Sequence, residues 1–438
     1  MNKIFKVVWS KTKECYVVVS EVAKNNGGKK KVLATVFAAL VATGSMVPDY
    51  VDAANNTSGG GVSTADASIA IGSGWGNSAY ANNNFSIAIG DQTHANGKAA
   101  IALGRQAKTD GEEASIAIGN ETEATAKDST AVGSGSKSSG EYAAALGFQT
   151  KATANYATAI GSGARGYAED SQAIGREAET SAGATRAIAI GTLSKSSGNY
   201  ATSLGSSAEA TAERAIAVGY KSKAEAERAI SVGNLANATK NDSIAVGNNS
   251  AGNQTVASGG NATAVGHLSQ ATADGATAIG TNNKAGYEGT AVGLSNTVTG
   301  RTSAAFGRSN TVSGKESLAA GVRSTASGEH NVAIGYQAAT DGKATVAIGE
   351  GSKADIADGV ALGSNSATTA AAGIQGFNPA DSRTNTYSGL TGTAQTSTLG
   401  AVAVGNGATA TRQITGLAAG KEDTDAVNVA QLRSVNLK

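Results

Sequence analysis

The chain has 438 residues, among them 58 Gly, two Pro and one Cys, with 4% aromatic residues and a formal net charge of +1. So few large side chains exclude an ordinary globular core, and the fixed recurrence of Ala, Gly, Ser and Thr marks repetition more than disorder. Residues 1–53 hold eight Lys and four acidic residues, leaving 27 basic and 30 acidic residues in the remainder; that balance, without a basic block, excludes a nucleic-acid footprint.

The N-terminus reads as an export address. Lys29, Lys30 and Lys31 precede an apolar run from Val32 to Val41, small residues follow, and Val51 and Ala53 fit a cleavage site after Ala53. The run is shorter than the roughly 20 apolar residues of a bilayer-spanning helix. Cys15, Met1 and Met46 all lie in this segment, so the exported part has no thiol for a disulfide or a cysteine metal site. Upstream, Met1 to Gly28 includes Val8, Trp9 and the VVVSEVAK stretch from Val17 to Lys24. It resembles the extended signal-peptide region of large Gram-negative autotransporters, which implies export to the cell surface or outer membrane.

After a linker at 54–68, a string of the type S-x-A-(I/V/L)-G recurs. Its glycine falls at Gly119, Gly133, Gly147, Gly161 and Gly175, then at Gly191, Gly205, Gly219, Gly233 and Gly247, with a spacing of 14 in all but one step. The series continues at Gly266, Gly280, Gly293, Gly307, Gly321, Gly335, Gly349 and Gly363, and resumes at Gly405, three periods beyond. In Ser115-Ile116-Ala117-Ile118-Gly119 β-branched and small residues alternate, as in a strand, and the glycine permits a turn. From Gly147 the third, fifth and seventh residues on are Thr150, Ala152 and Ala154, a second short strand. Two strands and two turns per repeat predict an all-β fold, a narrow parallel β-solenoid of about 24 rungs and ~110 Å at ~4.8 Å per rung. A two-layered coil covers only one face of the S-x-A-I-G strand, so the other needs a second copy, and closed symmetry is the simplest arrangement.

The segments SIAIGNETEATAKD (Ser115 to Asp128) and NDSIAVGNNS (Asn241 to Ser250) resemble the head repeats of YadA-like trimeric autotransporter adhesins. That resemblance implies a left-handed parallel β-roll forming a homotrimeric head over residues 69–366. Between Gly363 and Gly405 the repeat lapses into a segment with Phe377, Asn378, Pro379, Tyr387 and Leu390, read as a head insert at 367–400, either a binding loop or a packing plug. Residues 401–433 resemble the family's neck through Arg412, Gln413 and Ile414, and through Thr424, Asp425, Ala426, Val427, Asn428, Val429, Ala430, Gln431 and Leu432. Thr424 or Asp425 is expected to cap a helix with Val429 and Leu432 on one face, and 434–438 to start a coiled-coil stalk. The chain stops at Lys438 without the long stalk and membrane anchor that the resemblance implies, so a fragment of a longer adhesin is expected, the alternative being a released product.

No enzyme or cofactor chemistry emerges. His94, His267 and His330 occupy different positions relative to their repeat glycines and give no metal or catalytic cluster. Glycine precedes Lys98, Lys315, Lys343 and Lys421, but Ala or Glu follows each, so no phosphate loop forms. The expected function is adhesion to host matrix, another bacterial surface or an abiotic surface through many weak contacts. Repeats of the form NSVAIGxxS in the resembled family imply collagen binding. The matching residues are Asp242, Ser243, Ile244, Ala245, Val246, Gly247 and Ser250, with a second version at Asn331 to Gly335; the alternative is that these residues only build the core. A passive or ice-binding-type solenoid is the other function considered, disfavoured because Thr is scattered among offsets.

Overall fold

The computed structural model describes residues 5–10, 15–20, 55–58, 60–72, 78–249, 254–376 and 392–435. Ala53, Ser250 and the five large residues expected in the insert, from Phe377 to Leu390, lie outside them. Near the N-terminus, Phe5–Ser10 pairs antiparallel with Cys15–Ser20.

From Asn55 onward the chain is a parallel β-solenoid. Each repeat contributes a strand of mostly three residues, such as Ile116–Ile118, to a first sheet and a two-residue strand, such as Glu123–Ala124, to a second. Strands pair with the equivalents one repeat before and after: Ile118 faces Leu103 and Val132, and Ala124 faces Thr109 and Ser138. Both ladders run in chain order from end to end. Among the described residues the first sheet has 23 strands and the second 21, close to the expected stack.

The core between the sheets is built largely of alanine methyl groups, with small polar side chains of Ser, Thr and Asn among them. Ala117, Ala131, Ala145 and Ala159 from the first sheet, and Ala124 and Ala152 from the second, are fully buried. Each buried methyl contributes about 0.8 kcal/mol, and the small volume lets the sheets approach closely. Larger residues of the same strands point the other way.

Nearly every described rung turns twice through left-handed backbone. Glu121 (φ 55°) and Asp128 (φ 51°) are one such pair, and each non-glycine residue there costs about 1 kcal/mol. The conformation turns their amides onto the preceding rung, where Glu121 N donates to Arg105 O (2.8 Å) and Asp128 N to Glu113 O (3.1 Å). The repeat glycine has a separate cause. At Gly205 φ is 134°, and a Cβ would lie 2.5 Å from the carbonyl oxygen of Gly219 in the next rung. Only glycine satisfies both constraints.

The period varies by one or two residues at some steps, as from Gly175 to Gly191 and from Gly280 to Gly293, and is interrupted more widely at two places. Val360–Leu362 pairs directly with Val402–Ala403, so the three-period gap is a single rung step with an insertion. Of the insertion, Ala367 bridges Lys353 and Gln375 bridges Thr396. The other interruption is the longer step between Gly247 and Gly266.

Candidate functional site

Alternation within the first-sheet strand sets up the outer face. Ala117 is fully buried, whereas Ile118 retains 37% of its surface, and Leu146, Ile160, Leu204, Ile279 and Leu362 are exposed to similar or greater extents. Because adjacent strands pair in register, these side chains form one column that is apolar from Ile71 to Leu362, beside a second of Ile, Val, Leu, Thr and Ala that Gln172 interrupts. A continuous apolar face of this kind is the signature of an interaction surface.

The second sheet presents the opposite character. One outward residue per rung forms a column in which sign alternates from Lys108 to Glu123 to Lys137, and again from Glu179 through Lys195 and Glu209 to Lys223. Lys137 lies 2.8 Å from Glu123, Lys223 3.1 Å from Glu209, and Glu179 sits between Arg165 (3.5 Å) and Lys195 (3.8 Å). A groove of about 1030 Å³ runs along this face from Tyr80 to Arg165. At one end Tyr80 and His94 stack with ring centroids 4.9 Å apart. On the left-handed turns Tyr142 stacks on Tyr156 at 5.2 Å, and Tyr200 lies between the Arg186 and Arg214 guanidinium groups.

The six described residues of the repeat singled out by sequence, Asp242 to Gly247, do not form one surface. Ser243 and Ala245 are buried, with Ser243 Oγ donating to Lys240 O (2.5 Å), while Ile244 and Val246 belong to the apolar face. At Gly247 a Cβ would meet Gly266 O at 2.3 Å. Asp242 faces out and accepts from both Nε and Nη2 of Arg228, which holds its carboxyl below the ordinary range. In the second version Asn331 is buried and its Oδ1 accepts from Thr345 N (3.0 Å). The histidines lie apart: His94 is in the stack above and His330 contacts Glu316 at 2.9 Å. Of the threonines, Thr297, Thr311 and Thr325 do share one column, for three rungs.

The neck residues divide into anchors and exposed side chains. Arg412 reaches back across the insertion to donate to Val404 O (2.6 Å), Ser364 O (2.5 Å) and Ser366 Oγ (3.1 Å), so its guanidinium closes the end of the last rungs. The helix spans Val429–Val435, and its cap differs from expectation. Asp425 instead accepts from the amides of Lys421 and Glu422, which lowers its pKa and closes a turn. Asn428 is the cap: its Oδ1 accepts from Gln431 N (3.0 Å) while Gln431 Oε1 accepts from Asn428 N (3.1 Å). This reciprocal arrangement is a capping box, and the N-x-x-Q spacing was its sequence signal. Gln431 also bonds both ways to Gly420, and Asn428 Nδ2 donates to Leu417 O. Gln413, Thr424, Ala426 and Ala430 are exposed, and so are the apolar Ile414, Val427, Val429, Leu432 and Val435.

Residues 1–47 match the extended signal peptide of type V secretion systems, and residues 413–437 the coiled stalk of trimeric autotransporter adhesins. The YadA head domain repeat matches residues 76–93, 95–114, 113–136, 138–164, 182–208, 196–222, 210–236, 224–250, 257–283, 313–338 and 341–366, more than half of the chain. Over 65 residues the chain is 49% identical to the autotransporter adhesin BadA of Bartonella henselae; the match takes in 15% of this chain and 2% of that much longer protein. The crystal structure of the collagen-binding domain of the Yersinia adhesin YadA is similar at 26% identity, covering 49% of this chain and 86% of that one, with a TM-score of 0.27.

Proposed function

Since the chain belongs to the YadA-like trimeric autotransporter adhesins, non-enzymatic proteins exported to the Gram-negative cell surface, we propose that its solenoid is a homotrimeric, left-handed head that attaches to matrix or to other cells through many weak contacts. The observation that carries this reading is the apolar column of the first sheet, where residues such as Ile118 and Leu204 keep 37% and 45% of their surface in the single chain. Three copies meeting around an axis along the solenoid would bury that face on itself, as closed symmetry requires. The exposed Val429, Leu432 and Val435 at the lower end fit the same axis, where a coiled stalk would begin.

Under this reading the domains are a leader at 1–53 cleaved after Ala53, a linker at 54–68, a head at 69–366, an insert at 367–400 and a neck at 401–433, followed by the start of a stalk. Arg412 and the pair Asn428 and Gln431 would fix the path from head to stalk. The second sheet, whose outer side faces away from the apolar column, would be the surface offered to ligands. Collagen is the first matrix protein to test, by analogy with the relative whose collagen-binding domain is known.

Light scattering on the exported protein tests the assembly. A mass of three chains is expected for the wild type, and Ile118→Asp combined with Leu204→Asp should lower it to one chain. A wild-type monomer refutes the trimer. Adherence to immobilised collagen should then fall with the trimer, because avidity multiplies weak contacts. Equal adherence by monomer and trimer would refute the multivalent mechanism.

A further inference from the structure

Within the charged stretch of the second-sheet column, from Lys108 to Lys223, the alternation of sign fails at one place. Lys137, Lys151 and Arg165 lie on three consecutive rungs and pair in register, so three cations stand directly over one another. Successive strands of such a ladder are ~4.8 Å apart, and like charges directly opposite are destabilising. The outer two are relieved by Glu123 and Glu179, but Lys151 has no carboxylate partner among the described residues.

A second feature opens the same rungs. The left-handed turn beside the column holds Glu121, Gln149 and Glu177 on alternate rungs, but Gly135 and Gly163 between them. A Cβ at Gly135 would meet the Gln149 Cγ at 3.4 Å and come no closer to backbone than the Gln149 Cα at 4.0 Å, and one at Gly163 would meet only the Glu177 Cγ, at 3.3 Å. Close backbone approach therefore does not require glycine at either position, in contrast to the repeat glycines. The missing side chains widen the groove beside the cations. On the column's other side the hydroxyls of Ser139, Thr153 and Tyr167 line a smaller depression shared with Lys137 and Lys151.

We propose that this stretch is a binding groove for an extended acidic polysaccharide, sulfated in its tightest form, lying along the solenoid with one anionic group on each of Lys137, Lys151 and Arg165. A sugar chain suits the site because its anions alternate with hydroxyl groups that the flanking serine and threonine hydroxyls can meet. The carboxylates of Glu121 and Glu123 within the same groove limit a polyanion to the three rungs of Lys137, Lys151 and Arg165, too short a run for the many phosphate contacts on which nucleic-acid binding rests. The proposal deepens the adhesin reading and rests on it only for the outward placement of the second sheet.

Binding of the exported protein to immobilised heparin, measured over a range of salt concentrations, tests it. Wild type should bind with an affinity that falls as salt rises. Lys151→Gln with Arg165→Gln should weaken binding about tenfold, whereas Lys195→Gln, outside the groove, should leave it nearly unchanged. Circular dichroism confirms that each variant keeps its fold, and Lys151→Arg should retain binding. The groove is refuted if wild type ignores heparin, if the double variant binds as wild type does, or if desulfated heparin or a single-stranded oligonucleotide binds equally well. Light scattering on the same preparations separates the two readings: a trimer that adheres to collagen yet ignores heparin overturns the groove alone.

Discussion

The rungs between Lys108 and Ala238 and those between Thr277 and Thr345 share one backbone plan but are held in register from opposite sides. In the first group register is reinforced outside, by ion pairs such as Lys137 with Glu123 and Lys223 with Glu209. In the second the outer column becomes uncharged at Thr297, Thr311 and Thr325, and the stitching moves into the core. Asn283, Asn296 and Asn310 are buried and stack as an amide ladder: Asn296 Nδ2 donates to Asn283 Oδ1 and Asn310 Nδ2 to Asn296 Oδ1, both at 3.0 Å. Each amide also bonds forward to a repeat-glycine carbonyl, as Asn296 Nδ2 does to Gly307 O (2.8 Å). First-sheet strands lengthen to five residues in the same place, as in Thr290–Leu294 and Ala304–Arg308. The contrast teaches that a solenoid of small residues can specify register either by screened surface charge or by buried hydrogen bonds, and the two differ in strength.

The largest expected effect breaks the inner ladder. Asn296→Ala removes the acceptor of the buried Asn310 amide (3.0 Å) and the donors to Val292 O and Gly307 O. An unsatisfied buried group costs about 1–3 kcal/mol, so a local loss of about 3 kcal/mol is expected. Because each rung contacts only its neighbours, the loss should remain local. Amide hydrogen exchange should accelerate around 290–325 and stay unchanged near 120–230; uniform acceleration would contradict nearest-neighbour coupling.

A smaller effect tests the position of the asparagines where they are absent. At the equivalent place in the first group Thr122 Oγ1 donates to Gly133 O (2.8 Å), and that carbonyl also receives Ser136 N (3.1 Å). Thr122→Val deletes one bond without orphaning the acceptor, so a loss of about 1 kcal/mol is expected by the same measurement. A loss as large as that of Asn296→Ala would mean that the ladder adds nothing beyond its individual bonds.

Much of this was legible in the sequence because the backbone enforces it. The glycine period follows from carbonyl oxygens that leave no room for a Cβ, and the Ile and Ala alternation follows from one face being covered. The amide ladder was not read, although Asn283, Asn296 and Asn310 all stand three residues after a repeat glycine. At that offset Thr122, Thr150 and Ser222 are equally polar, so asparagine does not stand out from the hydroxyls it replaces. Sequence offers Thr424 or Asp425 as the helix cap because any Asp or Thr can cap; only the spacing of Asn428 and Gln431 distinguishes the true one. The resemblance marks Arg412, but its contact with the last rungs carries no local signal, since Ser364 and Ser366 lie 48 and 46 residues away across the insertion. The break in charge alternation at Lys151 is visible in sequence once the register is known, and invisible before.

The smallest effect decides whether the outer ladder matters for stability at all. Lys223 and Glu209 are both well exposed, with 44% and 39% of their side-chain surface accessible, so water and salt screen their attraction. Glu209→Gln should cost no more than about 0.5 kcal/mol at low ionic strength. The difference between variant and wild type should disappear in molar salt, whereas that of Asn296→Ala should persist, because buried bonds are not screened. If the outer pairs add little, their regular alternation serves a different end: from Lys108 to Lys223 it neutralises the face rung by rung and leaves Lys151 as the one cation of that stretch of the column without a carboxylate partner among the described residues. A Glu209→Gln variant as damaged as Asn296→Ala would reverse that assignment and make the charge column a structural spine.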